Sequence, residues 1–357
     1  MKPRVFFYVQ HLLGIGHLRR AAILARALAA DGFDVLLVSG GAPIDLVLGG
    51  ARLHQLPPVR ARDESLRELS RLDGSPLDEN FRAARRAELL GLLRAEAPAI
   101  VITEQFPFGR TQLRFELLPL LEAAHGLAPR PLIVSSVRDL VRRSVSAARV
   151  AETIETFAAF DLLLIHGDPQ LVGFDKSFAG WNQVRSRAVY TGYVTDADLT
   201  PTESGEGTGK VIVSVGGGAV GAPLLEAARA ARALSVVASR RWCFLENAER
   251  GDFVALLRNS TLSISQAGYN TVVESLCCAD RAVLVPFGSE RETEQTDRAR
   301  LLADRGMVAM VPSETLTPQS LAAAIDRAMR GPSIRSFPPC DARGADATVA
   351  LLRQRLA

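Results

Sequence analysis

The sequence predicts an α/β protein built from two doubly wound, parallel-sheet domains, and three observations predict it. The chain has 357 residues, more than one hydrophobic core comfortably serves, and at roughly 100–200 residues per domain it implies two. Short, wholly apolar runs alternate with stretches of helical length, the order of βαβ units. Strands apolar on both faces belong to a parallel sheet covered by helices on both sides. Finally, a polar, glycine-rich segment at 200–210 (TPTESGEGTGK) interrupts this alternation, which then restarts.

Val5–Val9 is the first buried strand. It breaks into Gly14-Ile15-Gly16-His17 and a helix over Leu18–Ala30, stopped by Asp31-Gly32. Val35–Val38 is the second strand. Helices around Phe81–Glu96, Leu113–His125 and Ala147–Phe160 alternate with strands Ala99–Thr103, Leu132–Ser136 and Leu162–His166. This first domain spans 1–200. Past the linker, strand Val211–Val215 runs into three glycines, helix Ala222–Ala233 and a strand expected at Leu234–Ala238. Helices Asp252–Asn259, Tyr269–Cys278, Thr293–Arg305 and Pro318–Arg330 and strands Leu262–Ser265, Ala282–Pro286 and Val308–Val311 complete a second domain over 208–335. An irregular stretch with three prolines leads to a final helix, Ala345–Leu356, within 340–357.

Composition excludes several classes. Hydrophobic residues make up 48% and charged residues 23%, ordinary globular usage, which excludes disorder or coiled coil for the bulk of the chain. The 42 basic and 39 acidic residues leave a net charge of +3, too balanced for a nucleic-acid partner. Cys243, Cys277, Cys278 and Cys340 form no CxxC pair, which argues against a disulfide framework or zinc site and for a reducing, cytoplasmic setting. The N-terminal apolar run is too short for a signal peptide, and no window reaches the roughly 18 apolar residues of a membrane span. A peripheral membrane contact stays open. Arg82, Arg85, Arg86 and Arg94 share a helical stretch with Leu89, Leu90, Leu92 and Leu93, which would suit anionic lipid; the alternative packs those leucines on the sheet.

Two such domains in tandem imply a cleft, and in open α/β sheets ligands bind outside the carboxyl ends of the strands. The residues just after strands are therefore the candidates. Gly14 and Gly16 let the backbone turn tightly before a helix N-terminus, which attracts anions. His17, on the first turn, suits a general base near neutral pH; the alternative is a capping or structural histidine. Gly217 and Gly218 follow strand Val211–Val215, either to admit a phosphate or to make a tight turn. Gln266, Ala267, Gly268, Tyr269 and Asn270 follow another strand and open a helix that carries Glu274, either a carboxylate for vicinal hydroxyls or a solvated helix residue. The segment GSERETEQ at 288–295 brings Glu292, Glu294 and Gln295 to a strand end, either to read a sugar's hydroxyls or as a solvated charge run.

Taken together these segments carry a family resemblance. S-x-A-G-x-N-T-x-x-E, a strand ending V-P-F, then E-x-x-Q and R-A-x-x-L-x-x-x-G resembles the nucleotide-sugar half of the GT-B glycosyltransferases, in particular the family that transfers N-acetylglucosamine from its UDP form to make peptidoglycan lipid II. Gly14–His17 with Arg20 looks like that family's first glycine loop. Thr103–Arg110 (TEQFPFGR), Ser136–Asp139 (SVRD) and His166–Pro169 (HGDP) resemble a bacterial branch of predicted glycosyltransferases related to it. The first loop carries fewer glycines than the lipid II family's, and the span from Gly218 to Asp252 is short, which leaves the nucleobase open.

The resemblance implies two Rossmann-like domains facing a cleft, with the C-terminal helix crossing back to the first. It implies a hexosyl transfer from a nucleotide-diphosphate sugar, UDP-linked, to an acceptor hydroxyl of unknown identity, inverting and without metal or other cofactor. Gly268, Tyr269 and Asn270 would lie under the diphosphate, Glu274 at the ribose, Glu294 and Gln295 at the sugar, and Gly217 and Gly218 beside the phosphates and acceptor. His17 or Glu104 would be the base. A nucleotide-sugar hydrolase on the same scaffold and a non-catalytic nucleotide-sugar sensor are the alternatives.

Overall fold

The computed structural model describes residues 2–12, 14–62, 68–143, 146–196, 199, 204–215, 221–246, 250–287 and 293–357, the side chains of 250–252 excepted. In chain order the elements are β1 (Arg4–Val9), α1 (Gly16–Ala30), β2 (Asp34–Ser39), β3 (Arg52–Gln55), β4 (Val59–Ala61), β5 (Leu69–Arg71), α2 (Glu79–Glu96), β6 (Ile100–Glu104), α3 (Arg114–His125), β7 (Leu132–Arg138), α4 (Ala147–Phe157), β8 (Leu162–His166), α5 (Trp181–Val184) and β9 (Ala188–Tyr190). There follow β10 (Lys210–Val215), α6 (Ala222–Ala231), β11 (Arg241–Glu246), α7 (Arg250–Leu257), β12 (Leu262–Ser265), α8 (Tyr269–Cys278), β13 (Ala282–Leu284), α9 (Glu294–Asp304), β14 (Ala309–Met310), α10 (Pro318–Arg330) and α11 (Gly344–Leu356). They divide into two units. The first holds Met1–Pro169, Gly173–Thr195 and Arg343–Ala357; the second holds Gln170–Val172 and Asp196–Ala342.

The first unit is a seven-stranded parallel sheet in the order β3-β2-β1-β6-β7-β8-β9. The apolar strands bury both faces, as their composition requires. Phe6 and Tyr8 of β1 point into one core with Leu89 and Leu93 of α2 and Leu117 and Leu120 of α3. Val5, Phe7 and Val9 point into the other, with Leu24 and Leu28 of α1 and Leu352 of α11. The final helix thus completes the first unit's core. The second unit is a five-stranded parallel sheet, β11-β10-β12-β13-β14, with Val211, Val213, Leu262 and Ile264 buried against Leu321 and Ile325 of α10.

In both sheets the chain leaves its first strand in one direction and later returns on the other side. β1 lies between β2 and β6; β10 lies between β11 and β12. At such a reversal the flanking connections diverge and open a crevice at the strands' carboxyl ends.

One strand is not where patterning puts it. Leu234–Ala238 is no strand: Arg232–Leu234 is a short 3-10 turn, Leu234 and Val236 are exposed, and β11 is Arg241–Glu246. The Val237 carbonyl accepts from Trp242 Nε1 at 3.1 Å, so the β-branched run turns beneath the strand that pairs, Trp242 opposite Val211. Tertiary pairing has overridden local propensity. In α2, Leu89 and Leu93 are buried and Arg85 is bonded to Glu116 at 2.7 Å, so this helix gives those side chains to the core.

Candidate active site

Parallel register assembles the first unit's site. Glu104 ends β6 directly opposite Ser136 of β7, and Ser136 lies opposite Leu164 of β8. His166, two residues further along β8, therefore falls on the same face as Ser136. Thr191 follows Tyr190, the β9 partner of Ile165. His17 enters from the first turn of α1, the helix after β1, and β1 is the strand beside β6. Sites read separately along the chain, 17, 103–110, 136–139 and 166–169, thus lie at adjacent strand ends at the sheet's reversal point.

These side chains are joined by hydrogen bonds. His17 Nδ1 lies 2.9 Å from Glu104 Oε1. The Arg20 guanidinium pairs with the same oxygen. Ser136 Oγ lies 2.9 Å from Glu104 Oε2 and 2.9 Å from His166 Nε2. His166 Nδ1 lies 2.8 Å from Thr191 Oγ1. Glu104, Ser136 and His166 are fully buried and Thr191 nearly so; His17 keeps 8% of its surface exposed. Gly167 shows how tightly these strand ends pack: a Cβ there would stand 2.6 Å from the Asp139 Cβ, a contact real side chains do not make. The loop after β6 is anchored by Phe108, whose ring sits 5.0 Å from Phe178, 5.4 Å from Phe174 and 5.5 Å from Phe157.

The geometry separates the two candidate bases. Both oxygens of Glu104 accept from neighbours, and none of its surface is exposed. As a carboxylate it can only accept, so His17 carries its proton on Nδ1. The lone pair is then on Nε2, which bonds to none of the described residues. Burial first, then the Arg138, Arg110 and Arg20 guanidiniums, holds the His17 imidazole well below its usual range, so the ring is neutral at pH 7. Gly14 and Gly16 precede it without positive φ. A Cβ on Gly14 would meet nothing within 4 Å, and on Gly16 only Arg138 Nη2 at 3.4 Å. Neither backbone strain nor crowding asks for these glycines, whereas a ligand lying close to the backbone would.

The second unit's candidates lie at its own reversal point, after β12. Gln266, Ala267 and Gly268 connect Ser265 to α8, whose first residues are Tyr269 and Asn270. Gly268 is the N-cap, with φ −62° and no side-chain cap; a Cβ there also meets nothing within 4 Å. Arg298 of α9, nearly fully buried, donates to the Ala267 carbonyl at 2.9 Å. Gln295 Oε1 accepts from the Phe287 backbone N–H at 3.1 Å. α9 therefore braces the loops after β12 and β13. Glu274 and Glu294 are both buried. Gly217, Gly218 and Glu292 lie outside the described residues. Sequence reasoning assigned no role to Ser136, His166 or Thr191. Ser136 and His166 stood in strand-end motifs; Thr191 follows a three-residue edge strand and had no signal.

Residues 250–339 match the Glycosyltransferase family 28 C-terminal domain. That segment holds α8, α9 and the loop between β12 and α8. Among curated relatives, the Rhodospirillum rubrum UDP-N-acetylglucosamine–N-acetylmuramyl-(pentapeptide) pyrophosphoryl-undecaprenol N-acetylglucosamine transferase is 34% identical over 102 residues, 29% of this chain and 26% of that protein. The Aromatoleum aromaticum protein of the same name is 33% identical over 110 residues, 31% and 29%. The chain thus matches between a quarter and a third of the length of these relatives. The fold is that of two-domain GT-B glycosyltransferases: MurG of Acinetobacter baumannii superposes with a TM-score of 0.59 at 15% identity, over 99% of this chain and 100% of that one.

Proposed function

We propose that the protein is a glycosyltransferase that moves a sugar from a nucleotide-diphosphate donor to an acceptor hydroxyl, with inversion. The observation that carries this reading is the His17–Glu104 pair at the β1/β6 reversal point, an imidazole held through Nδ1 with Nε2 left as the base. His17 removes the acceptor proton, and the oxygen attacks the anomeric carbon from the face opposite the departing diphosphate. Single displacement inverts that carbon. General-base assistance of this kind contributes about 10²–10⁴-fold.

The family 28 match over 250–339 supports assigning the donor to the second unit. In this reading the backbone N–H groups at the start of α8 meet the charge of the diphosphate as it leaves, a role helix N-termini fill without a metal. Glu274 binds the ribose and Gln295 the sugar. UDP is the favoured nucleotide, since the curated relatives that this chain partly matches take a UDP-sugar by name. Those relatives also act on a lipid-linked acceptor by name, and such an acceptor would bring this protein to the inner face of the plasma membrane. No helix among the described residues is long and apolar enough to cross a bilayer.

The test has two arms. Thermal melts against UDP-, TDP- and GDP-sugars read donor binding, since a ligand at 100 times its Kd stabilises by about 2.7 kcal/mol. Release of UDP from UDP-N-acetylglucosamine, with and without added acceptor alcohols, reads the reaction. UDP release that no acceptor accelerates makes the protein a hydrolase. Binding without any turnover makes it a sensor.

A further inference from the structure

The hydrogen-bond chain beyond Glu104 has a direction, and that direction bears on His17. Ser136 has one hydroxyl proton. Glu104 Oε2, 2.9 Å away, can only accept, so the proton lies there. The Ser136 oxygen must then accept from its other neighbour, His166 Nε2, at 2.9 Å. A neutral imidazole protonated on Nε2 has its lone pair on Nδ1, and Nδ1 faces the Thr191 hydroxyl at 2.8 Å. His166 is neutral because burial first, and then Arg20, holds it well below the usual imidazole range. Each link donates toward Glu104: Ser136 to the carboxylate, His166 to Ser136, and Thr191 to His166 Nδ1 at 2.8 Å, shorter than the contacts of the same hydroxyl with the Ile165 and Gly192 carbonyls at 3.5 and 3.3 Å. All lie at 3% exposure or less.

We infer that Ser136 and His166 are positioning residues, which lock the Glu104 carboxylate as a pure acceptor and so hold His17 with its proton on Nδ1 and its lone pair on Nε2. This rests on the reading of His17 as the base. The carboxylate can rotate about its last bond, and Arg20 and His17 both bind the same oxygen, Oε1. Among the bonds described, Ser136 alone holds Oε2, and His166, donating to the serine oxygen, keeps its hydroxyl proton turned toward the carboxylate. The groups that face His17 itself are Glu104, Arg20, Arg110, Arg138 and His11. The cations among them oppose its protonation; Arg20 also reaches Nδ1 at a long 3.5 Å, against which the acceptor fixed at 2.9 Å decides the tautomer.

The experiment uses the full-length protein and three variants: Ser136→Ala, His166→Gln and His166→Phe. The Gln amide offers an N–H donor to Ser136 and does not titrate; Phe offers none. Imidazole ¹⁵N shifts of unliganded protein read the His17 tautomer, and donor turnover from UDP-N-acetylglucosamine reads kcat and KM. We expect wild type and His166→Gln to show a single Nδ1–H tautomer and kcat values within about two-fold. Ser136→Ala and His166→Phe should show a mixed tautomer and kcat lower by about ten-fold at unchanged donor KM, the loss expected for one hydrogen bond to a charged group. If His166→Gln falls as far as His166→Phe, the ring shuttles protons and does not position. If Ser136→Ala leaves the His17 shifts as in wild type, the chain is structural packing. Should His166→Phe fail to fold, Ser136→Ala and His166→Gln decide the matter. If His17→Ala keeps normal turnover, the base reading falls, while the tautomer measurement still judges the positioning.

Discussion

The two sheets end at their carboxyl edges in opposite ways. In the first unit, Arg20, Glu104, Ser136, Asp139 and His166 are all buried there, tied to one another or to the backbone. In the second, Arg298, Glu274 and Glu294 are buried behind the loop, but the loop after β12 is itself Gln-Ala-Gly, and the helix after it starts on a glycine with open space where a side chain would stand. The topology at both places is the same, a parallel sheet at its point of reversal. In the proposed function the difference follows from what each would hold. An imidazole that takes a proton has one useful tautomer, and only directed hydrogen bonds select it. A diphosphate is bulky and anionic, and backbone N–H groups at a helix start bind it with no side chain at all.

The largest expected effect breaks the first half of this comparison. His17→Ala should lower kcat by about 10²–10⁴-fold and leave UDP affinity, read by thermal shift, within two-fold, because the ring belongs to the first unit only. Equal losses of kcat and UDP affinity would mean that the division between the units is drawn wrongly.

Next comes Glu104→Gln, which strikes fold and function together. Arg20, 2% exposed, would lose its buried carboxylate, and breaking a buried pair by removing one partner costs about 3–5 kcal/mol. Urea unfolding should show a lower midpoint at an unchanged slope. An unfolding free energy within about 0.5 kcal/mol of wild type would mean that Arg20 draws its compensation from elsewhere.

That coupling marks what the sequence made legible. The glycine loop with His17, the TEQFPFGR motif, SVRD and HGDP were visible as strand-end segments, and a parallel sheet brings strand ends together whatever lies between them. The roles inside the cluster were not visible. His17 and Glu104 stand 87 positions apart, and both read as bases; only the structure shows that both carboxylate oxygens are already engaged. β3 and β9 were passed over because edge strands are short and half exposed, here RLHQ and AVY, and so carry no buried run. Thr191 went unread with β9. The strand expected at Leu234–Ala238 shows the reverse error: a β-branched run that lacks a partner, beside RWCFLE, which has one.

A third prediction concerns pH. Burial holds His11, His17 and His166 all below their ordinary range, with Arg110 adding to the effect at His11. In the unfolded chain each titrates near 6.5. As pH falls through about 6.5 the unfolded state takes up protons that the native state refuses, so stability is complete above that value and declines below it. Denaturant midpoints should therefore drop from pH 7.5 to 5.5, and His166→Gln should remove part of the drop. A midpoint that is flat or rises toward acid would show that these rings are protonated in the fold.

The smallest effect on the fold belongs to Gly268→Ala, and it sharpens the second half of the comparison. The backbone there, φ −62° and ψ 148°, is open to any residue, and a Cβ would touch nothing within 4 Å. Alanine is a poorer N-cap than glycine by roughly 0.5–1 kcal/mol, but it also restricts the unfolded chain, which favours folding by about 0.4–1 kcal/mol. The two nearly cancel, so the melting temperature should move by no more than 2–3 °C, roughly what 1 kcal/mol produces in a chain of this size. UDP affinity should fall by about ten-fold if the diphosphate lies against this backbone, because the new methyl group would occupy its place. In the first unit, then, a substitution such as Glu104→Gln disturbs stability and chemistry at once, whereas at Gly268 affinity changes and the fold does not. An unchanged UDP affinity in Gly268→Ala would move the phosphate site away from the start of α8.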